Sequence, residues 1–241
     1  MTRAGNLRRS VRRAIVSLAV LSAVASAPTT DAASHKTPQV VVTKSGLIGG
    51  GAGSDYAEYG LVRRNQSLTT DVLGVTVDVQ ARDSRGRAFT SDEQTITVIP
   101  AGTSFAVGGS LIWDVSLNVA RITAVVHVAK TAPKGRRLPP VKHVAVTSDG
   151  DATASLTNPY RKPLPGSATI YGVFLDGAGR IVASSGGQTT DAIIQPGQTV
   201  PFDVSGNAAL TAPATASVLI SIDPCGYRAF TPACPIKGAA G

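Results

Sequence analysis

The stretch Ile170-Tyr171-Gly172-Val173-Phe174-Leu175-Asp176-Gly177-Ala178-Gly179-Arg180-Ile181-Val182 contains an apolar run, a short polar turn and the start of a second apolar run. Asp176 and Gly179 fit an Asp-x-x-Gly turn, in which the Asp side chain bonds to nearby backbone and the Gly supplies a positive φ. Two short apolar runs joined by such a turn predict a pair of antiparallel β-strands.

The same turn occurs 93 residues earlier, as Asp83-Ser84-Arg85-Gly86-Arg87-Ala88-Phe89. The same offset aligns Asn65 with Asn158, and Ile99 aligns with Ile194 at an offset of 95. Each aligned Ile is followed by a second tight turn that contains Pro and Gly. The chain is therefore predicted to contain two copies of one domain.

Strand periodicity is clearest at Gly74-Val75-Thr76-Val77-Asp78-Val79-Gln80, where apolar and polar residues alternate. This period of two predicts that the valines are buried and the polar residues exposed. Seven short strands are expected in each copy, which is the pattern of an immunoglobulin-like sandwich. The fold prediction is all-β, with two immunoglobulin-like antiparallel β-sandwich domains in tandem after a signal peptide.

The predicted segments follow from composition and from the limits of the repeat. They are a signal peptide (1–25), a disordered lead-in (26–38), a first sandwich (39–129), a basic Pro-rich linker (130–142), a second sandwich (143–223) and a disulfide-looped tail (224–241).

Three segments of the second copy resemble the FxLYD family of bacterial extracytoplasmic β-sandwich domains. They are Leu156-Thr157-Asn158-Pro159, the stretch 170–182 and Pro196-Gly197-Gln198-Thr199-Val200-Pro201-Phe202-Asp203-Val204. The resemblance covers residues 151–205 well and residues 55–110 more weakly, because the first copy lacks the aromatic–Leu pair before Asp83. It implies a sandwich fold and an extracytoplasmic location, and it supplies no catalytic residue.

The N-terminus has the features of a secretion signal. Five arginines precede an apolar run at residues 14–25, which is too short for a membrane span of about 20 residues. Cleavage after Ala25 or after Ala33 both remain open, as does the export route. The five arginines belong to the 23 basic residues, and none of the 15 acidic residues lies before residue 26, so the remainder carries a net charge of +3 instead of +8. The high pI therefore does not indicate nucleic-acid binding.

Cys225 and Cys234 are the two cysteines of the chain. In an exported protein, two nearby cysteines favour a disulfide. Their spacing does not match a metal-binding motif, and no His lies beside them. We expect a Cys225–Cys234 disulfide that ties down the C-terminal tail.

Motifs for catalysis, metals and cofactors are missing from the sequence. There is no G-x-S-x-G and no H-E-x-x-H, and the glycine run at residues 49–53 lacks the pattern of a phosphate-binding loop. We therefore expect no catalytic residue, no metal site and no cofactor. The expected function is a non-enzymatic binding or structural role in a secreted or envelope-associated bacterial protein. A carbohydrate- or cell-wall-binding module and a hydrolase of unrecognised type are the alternatives.

Positive charge is concentrated in the predicted linker, which has five basic residues and no acidic residue. A solvated spacer is one interpretation of this segment. Contact with an anionic envelope polymer, or with another envelope protein, is the other. Neither nucleic acid nor a transmembrane span is expected, and the oligomeric state stays open. The candidate contacts are Lys130, Lys134, Arg136, Arg137 and Lys142.

Overall fold

A computed structural model describes residues 39–49, 54–114, 118–147, 151–165, 168–189, 193–206 and 215–226 of the 241-residue chain. These residues form twelve β-strands and no helix, so the predicted all-β fold is confirmed. The strands are β1 (Val40–Gly49), β2 (Tyr56–Asn65), β3 (Thr70–Arg82), β4 (Ala88–Ile99), β5 (Ser104–Ile112), β6 (Arg121–Pro133), β7 (Val141–Val146), β8 (Ala152–Thr157), β9 (Thr169–Leu175), β10 (Ile181–Thr189), β11 (Thr199–Val204) and β12 (Ser217–Asp223).

The strands form four antiparallel sheets with the same topology in both halves. The sheets β1-β2-β5 and β4-β3-β6 belong to the first copy, and β7-β8-β11 and β10-β9-β12 belong to the second. Each half has six strands in the described part of the chain instead of the expected seven. In the first copy, a tight turn in which Thr103 N donates to Pro100 O (3.2 Å) joins β4 directly to β5, so no further strand lies between them.

The burial of β3 follows its sequence pattern. Val75, Val77 and Val79 are fully buried, whereas the polar residues between them are half-buried. The valines pack with residues of both sheets of the first copy, among them Leu61 and Phe105, in one apolar core. A separate core that includes Leu156, Phe174 and Ile194 lies in the second copy.

Two buried asparagines have equivalent roles in the two copies. Asn65 Nδ2 donates to the carbonyl oxygens of Thr70 (2.8 Å) and Ile99 (3.1 Å), and its Oδ1 accepts from Ser67 N. Asn158 makes the same three bonds, with Lys162 O, Ile194 O and Tyr160 N. Each amide therefore fixes the loop that follows β2 or β8, because its buried polar atoms are all bonded.

The duplicated turns also match bond for bond. The carboxylate of Asp83 accepts from Arg87 N and Arg87 Nε at 2.9 and 2.8 Å, and Asp176 accepts from the same atoms of Arg180 at the same distances. Hydrogen bonds from the backbone of the following Arg lower the pKa of each Asp. The turn motif is thus Asp-x-x-Gly-Arg, and the role of the Arg was not evident from the sequence.

The two copies pack against each other through the sheets β1-β2-β5 and β10-β9-β12. The described residues form one compact unit. Val62 and Ala106 of the first copy form an apolar cluster with Val173, Leu175 and Ile181 of the second. Strands β2 and β9 are therefore buried on both faces, which accounts for their nearly continuous burial.

Side chains of the second copy also close the open side of the first sandwich. Tyr171 lies in the core of the first copy, where its ring packs edge-on against Phe105 with centroids 6.0 Å apart. Ser221 Oγ accepts from Ala106 N (2.8 Å) in β5, and Asp223 Oδ2 accepts from Thr97 N (2.7 Å) in β4. The free N–H groups at these two sheet edges are thereby bonded.

Strands enter the predicted linker at residues 130–142 from both ends, because its first four residues belong to β6 and its last two belong to β7. Lys130 pairs with Leu73, and Pro133 pairs with Thr70. β3 extends back to Thr70 and offers backbone partners there, so the strand continues into the Pro-rich segment. The predicted signal peptide (1–25), the lead-in (26–38) and the tail beyond residue 226 lie outside the described residues.

Arg63 is an exception to the pairing of buried polar groups. The residue is fully buried, and Nε, Nη1 and Nη2 have no hydrogen-bond partner among the described residues. Burial lowers the pKa of its guanidinium to about 10, so Arg63 stays charged at neutral pH. An unpaired buried charge is costly, because the loss of hydration is not repaid.

Gly108 tests the packing between the copies. A Cβ at this position would lie 2.6 Å from the carbonyl oxygen of Ser185. We expect Gly108→Ala to lower the free energy of unfolding by about 1–3 kcal/mol, because backbone has to move. Gly177→Ala is the control, since its Cβ would meet nothing within 4 Å. Chemical denaturation measures both variants, and equal stabilities would contradict the tight packing.

The unpaired buried charge of Arg63 leads us to expect that its replacement by an apolar residue increases stability. We expect Arg63→Met to raise the free energy of unfolding by about 1–4 kcal/mol, because a side chain of similar length replaces an unpaired buried charge. Arg64→Met is the matched control at the exposed neighbouring residue, and it should change stability by less than about 0.5 kcal/mol. Urea unfolding of both variants checks this, and a destabilised Arg63→Met protein would indicate that Arg63 is paired.

Candidate functional site

The described residues contain no group of three or more His, Cys, Asp and Glu side chains that could hold a metal ion. His127 is exposed on β6. His143 Nδ1 lies 3.1 Å from Ser155 Oγ, but the Ser155 hydroxyl donates to Lys142 O (3.3 Å). The Ser155 hydroxyl thus donates its proton to a backbone carbonyl and not to the imidazole. An activated serine would instead donate to the imidazole, which acts as the general base. This pair supports no catalytic step.

The five predicted contact residues occupy three parts of the fold. Lys130 lies in β6, Lys142 lies in β7, and Lys134, Arg136 and Arg137 lie in the segment between the two strands. Four of them are exposed, and Arg136 is partly buried. The structure therefore separates Arg136 in role from the other four.

Asp71 fixes the backbone of this segment. Its buried carboxylate accepts from Gly135 N (3.0 Å) and Arg136 N (2.9 Å) through Oδ2, and from Ala101 N (2.8 Å) through Oδ1. Arg136 Nη1 lies 3.5 Å from Oδ2, and Lys134 N donates to Thr69 O (2.9 Å). Arg136 therefore neutralises a buried carboxylate, and its predicted contact with an anionic partner stays a prediction.

Tyr160 joins the second copy to the same segment. Burial raises the pKa of its phenol, and the hydroxyl donates to Arg137 O (2.6 Å). The next two residues, Arg161 and Lys162, are both exposed. The loop after β8 thus adds two cations beside the predicted basic segment. Sequence reasoning missed them because they lie 24 residues beyond Arg137, in the other copy.

A small apolar cluster lies under these cations. Leu73, Val98 and Cys225 are buried there, with Leu138 and Tyr160 packed against them. Cys225 is not a free thiol. Cys234 lies outside the described residues, so the Cys225–Cys234 disulfide stays a prediction. The cluster holds the end of sheet β4-β3-β6, the basic segment and the loop after β8 together.

We define the cationic patch as Lys130, Lys134, Arg137, Arg161 and Lys162. The predicted contact Lys142 is exposed as well, but it lies in β7 and is not part of this set. All five are exposed, and none forms an ion pair with another described residue. The carboxylates of Asp71, which bonds to this segment, and of Asp223 are buried and accept from backbone N–H groups. The patch therefore presents positive charge to solvent. Hydrogen bonds from the segment to Asp71 and from Tyr160 to Arg137 hold the backbone that carries these side chains.

Comparisons with known proteins give little further information. No family model and no curated protein matches the chain. Among solved structures, it is similar to the transglutaminase of red sea bream, with 16% identity and a TM-score of 0.27. The match covers 78% of this chain and 29% of that chain, so this chain spans less than a third of that structure. A likeness this weak says nothing about activity.

Asp71→Asn tests whether the carboxylate holds the basic segment. An amide NH₂ cannot accept from backbone N–H groups, so we expect the free energy of unfolding to fall by about 1.5–3 kcal/mol. Trypsin should also cleave after Lys134 or Arg137 faster than in the wild type. Asp203→Asn is the control, because Asp203 is exposed and outside this segment. Unchanged cleavage would mean that Asp71 does not order the segment.

Proposed function

We propose that this protein is an exported, non-enzymatic binding protein that attaches to an anionic polymer of the bacterial cell envelope through the cationic patch. One observation carries the proposal: five exposed cations from two sequence copies form no ion pair with a described acid, and the Tyr160–Arg137 hydrogen bond joins the loop that carries two of them to the segment that follows β6. Charges placed this way attract a polyanion, because they need not first break pairs of their own.

Charge distribution supports the choice of a polyanion. Beyond residue 25 the chain has a net charge of only +3, so its attraction for anions depends on this local concentration and not on the whole molecule. The range of such an attraction is about 8–10 Å at physiological salt. A polymer with many phosphate or carboxylate groups fits this surface, since it can contact several cations at once.

The location in the proposal depends on the N-terminal segment and on the FxLYD resemblance. Basic residues followed by a short apolar run and an A-x-A sequence are typical of a secretion signal. Among the described residues no helix could span a membrane. Attachment to the envelope through the exposed patch is part of the proposal.

Neutral sugars are less well supported as ligands. Sugar recognition uses exposed aromatic rings, but Trp113 is buried and packs edge-on against Phe89, with centroids 6.2 Å apart. A ring held in this way has no free face of the kind that stacks on a sugar. The single tryptophan of the chain is therefore not a stacking platform, which favours recognition by charge over recognition by stacking.

Matched charge-removal variants test the proposal. The binding variant is Arg137→Ser/Lys162→Ser, with one cation from each copy. The control is Arg85→Ser/Arg121→Ser, which removes two exposed cations at the other end of sheet β4-β3-β6. The length of β6 places the two ends about 40 Å apart. The probes are long-chain polyphosphate and polyglutamate.

We expect the binding variant to lose about tenfold or more in affinity for at least one of the polymers, because each cation near an anionic surface contributes about 1 kcal/mol. Affinity of the wild type should also fall as salt is raised. Fluorescence titration measures both effects. An equal loss in the control variant, or binding that does not respond to salt, would overturn the proposal.

A further inference from the structure

Strand β6 is the edge strand of sheet β4-β3-β6. From Arg121 to Val128 it pairs with β3 without a register shift. No backbone hydrogen bond from any described residue reaches its other edge. A long, regular strand edge with free N–H and C=O groups is a template for pairing with a further strand.

The other sheet edges in the described part of the chain are protected. β1, β7 and β10 each have register shifts, and β11 contains Pro201, which cannot donate a backbone hydrogen bond. At β4 and β5, side chains of β12 bond to Thr97 N and Ala106 N, and β12 itself packs against these edges. From Arg121 to Ala132, β6 has no register shift, no proline and no bond to its backbone from a described side chain of another strand, and Pro133 is its last residue.

The side chains of β6 also suit an interface. No charged residue occurs between Arg121 and Lys130, and the run Ile122-Thr123-Ala124-Val125-Val126-His127-Val128-Ala129 is rich in residues that favour strands. Val125 lies on the outer face, opposite Asp78 in the register, and is 45% exposed. Ala124 and Val126 pack on the core from the inner face.

We propose that β6 pairs with β6 of a second copy of this chain, in antiparallel orientation and with Val125 on the two-fold axis. The two sheets then become one continuous sheet of six strands. In a two-fold dimer both copies use the same surface for contact, and here that surface is the free edge of β6. The register is set by Val125, whose exposed side chain would be covered by Val125 of the second copy.

The sequence of β6 is compatible with its own copy in this register. In this register Thr123 lies opposite His127 of the second copy, and Ala124 lies opposite Val126. Arg121 lies opposite Ala129, so no two like charges face each other across the new ladder, which like charges would destabilise. The half-buried inner row of each copy meets the inner row of the other, which extends the apolar core across the axis.

The proposed dimer has a consequence for the cationic patch. Lys130 lies five residues from the axis, so the two Lys130 residues would be separated by about 34 Å along the strands. Two patches at this separation could contact one polymer chain at two places. The dimer itself does not rest on the proposed polymer binding and is measured without any polymer.

Sedimentation velocity over a range of protein concentrations tests the dimer. Val125→Lys places like charges on the axis, and we expect it to raise the dimer dissociation constant at least about tenfold, which corresponds to about 1.4 kcal/mol. Ile112→Lys is the matched control: Ile112 is 69% exposed and lies in sheet β1-β2-β5. It should leave the dimer unchanged.

Disulfide trapping tests the register. Opposed residues of an antiparallel pair have Cα atoms about 4.5–5.5 Å apart, within the range of a disulfide, so Val125→Cys should form a covalent dimer on oxidation. Ala129→Cys would place its two thiols about 27 Å apart and should stay monomeric on a non-reducing gel. Mass spectrometry of the cross-linked peptide separates this bond from any that involves Cys225 or Cys234.

Three results would overturn the proposal. They are a wild-type protein that stays monomeric at its highest soluble concentration, a Val125→Lys protein that dimerises as the wild type does, and cross-linking through residue 129 instead of residue 125. Loss of dimerisation with retained polymer binding would leave the proposed function standing. The two proposals can therefore fail separately.

Discussion

Face-to-face packing of two central sheets is the constraint on which the rest of the structure depends. The sheets β1-β2-β5 and β10-β9-β12 each have one face on their own core and the other on the opposite copy. Such sheets need small or apolar residues on both faces. Gly46 and Gly60 leave the space that Ile181 occupies, and Gly108 lets the backbone of Ser185 approach. The two copies therefore form one packed body, although each keeps its own core.

Buried polar groups fix the loops and edges around this packing. Asn65 and Asn158 bond to the loops that follow equivalent strands, whereas Asp71 and Asp223 hold segments that are far apart in the sequence. Each of them has partners for its buried oxygens or nitrogens, which repays the cost of burial. Arg63 lacks such partners among the described residues. Burial of its guanidinium therefore has a cost in free energy that no described partner repays.

The same arrangement produces both surfaces to which we assign roles. Tyr160 brings the loop after β8 to the basic segment, so the cationic patch exists only because the two copies pack together. β12 covers the edges of β4 and β5, and β6 is left as the regular edge without protection. The second copy thus covers the side of the first sandwich at β4 and β5, and the side at β6 stays available for partners.

The sequence by itself determined what depends on near neighbours. The alternation at Val75, Val77 and Val79 predicted a strand with one buried face, and the Asp-x-x-Gly turns at Asp83 and Asp176 predicted the repeat, because both are properties of a few consecutive residues. Four of the five predicted cations were also found exposed.

Only the tertiary structure decided what depends on contacts between distant segments. Thr97 alternates as an exposed residue but is buried, at a place where Asp223, 126 residues further along the chain, accepts from its N–H. Tyr171 belongs to the second copy but packs in the core of the first. Arg136 became the partner of Asp71, and Arg161 and Lys162 joined the patch, through contacts that no local pattern encodes. Periodicity gives the faces of a strand, whereas the packing of the sheets decides what each face meets.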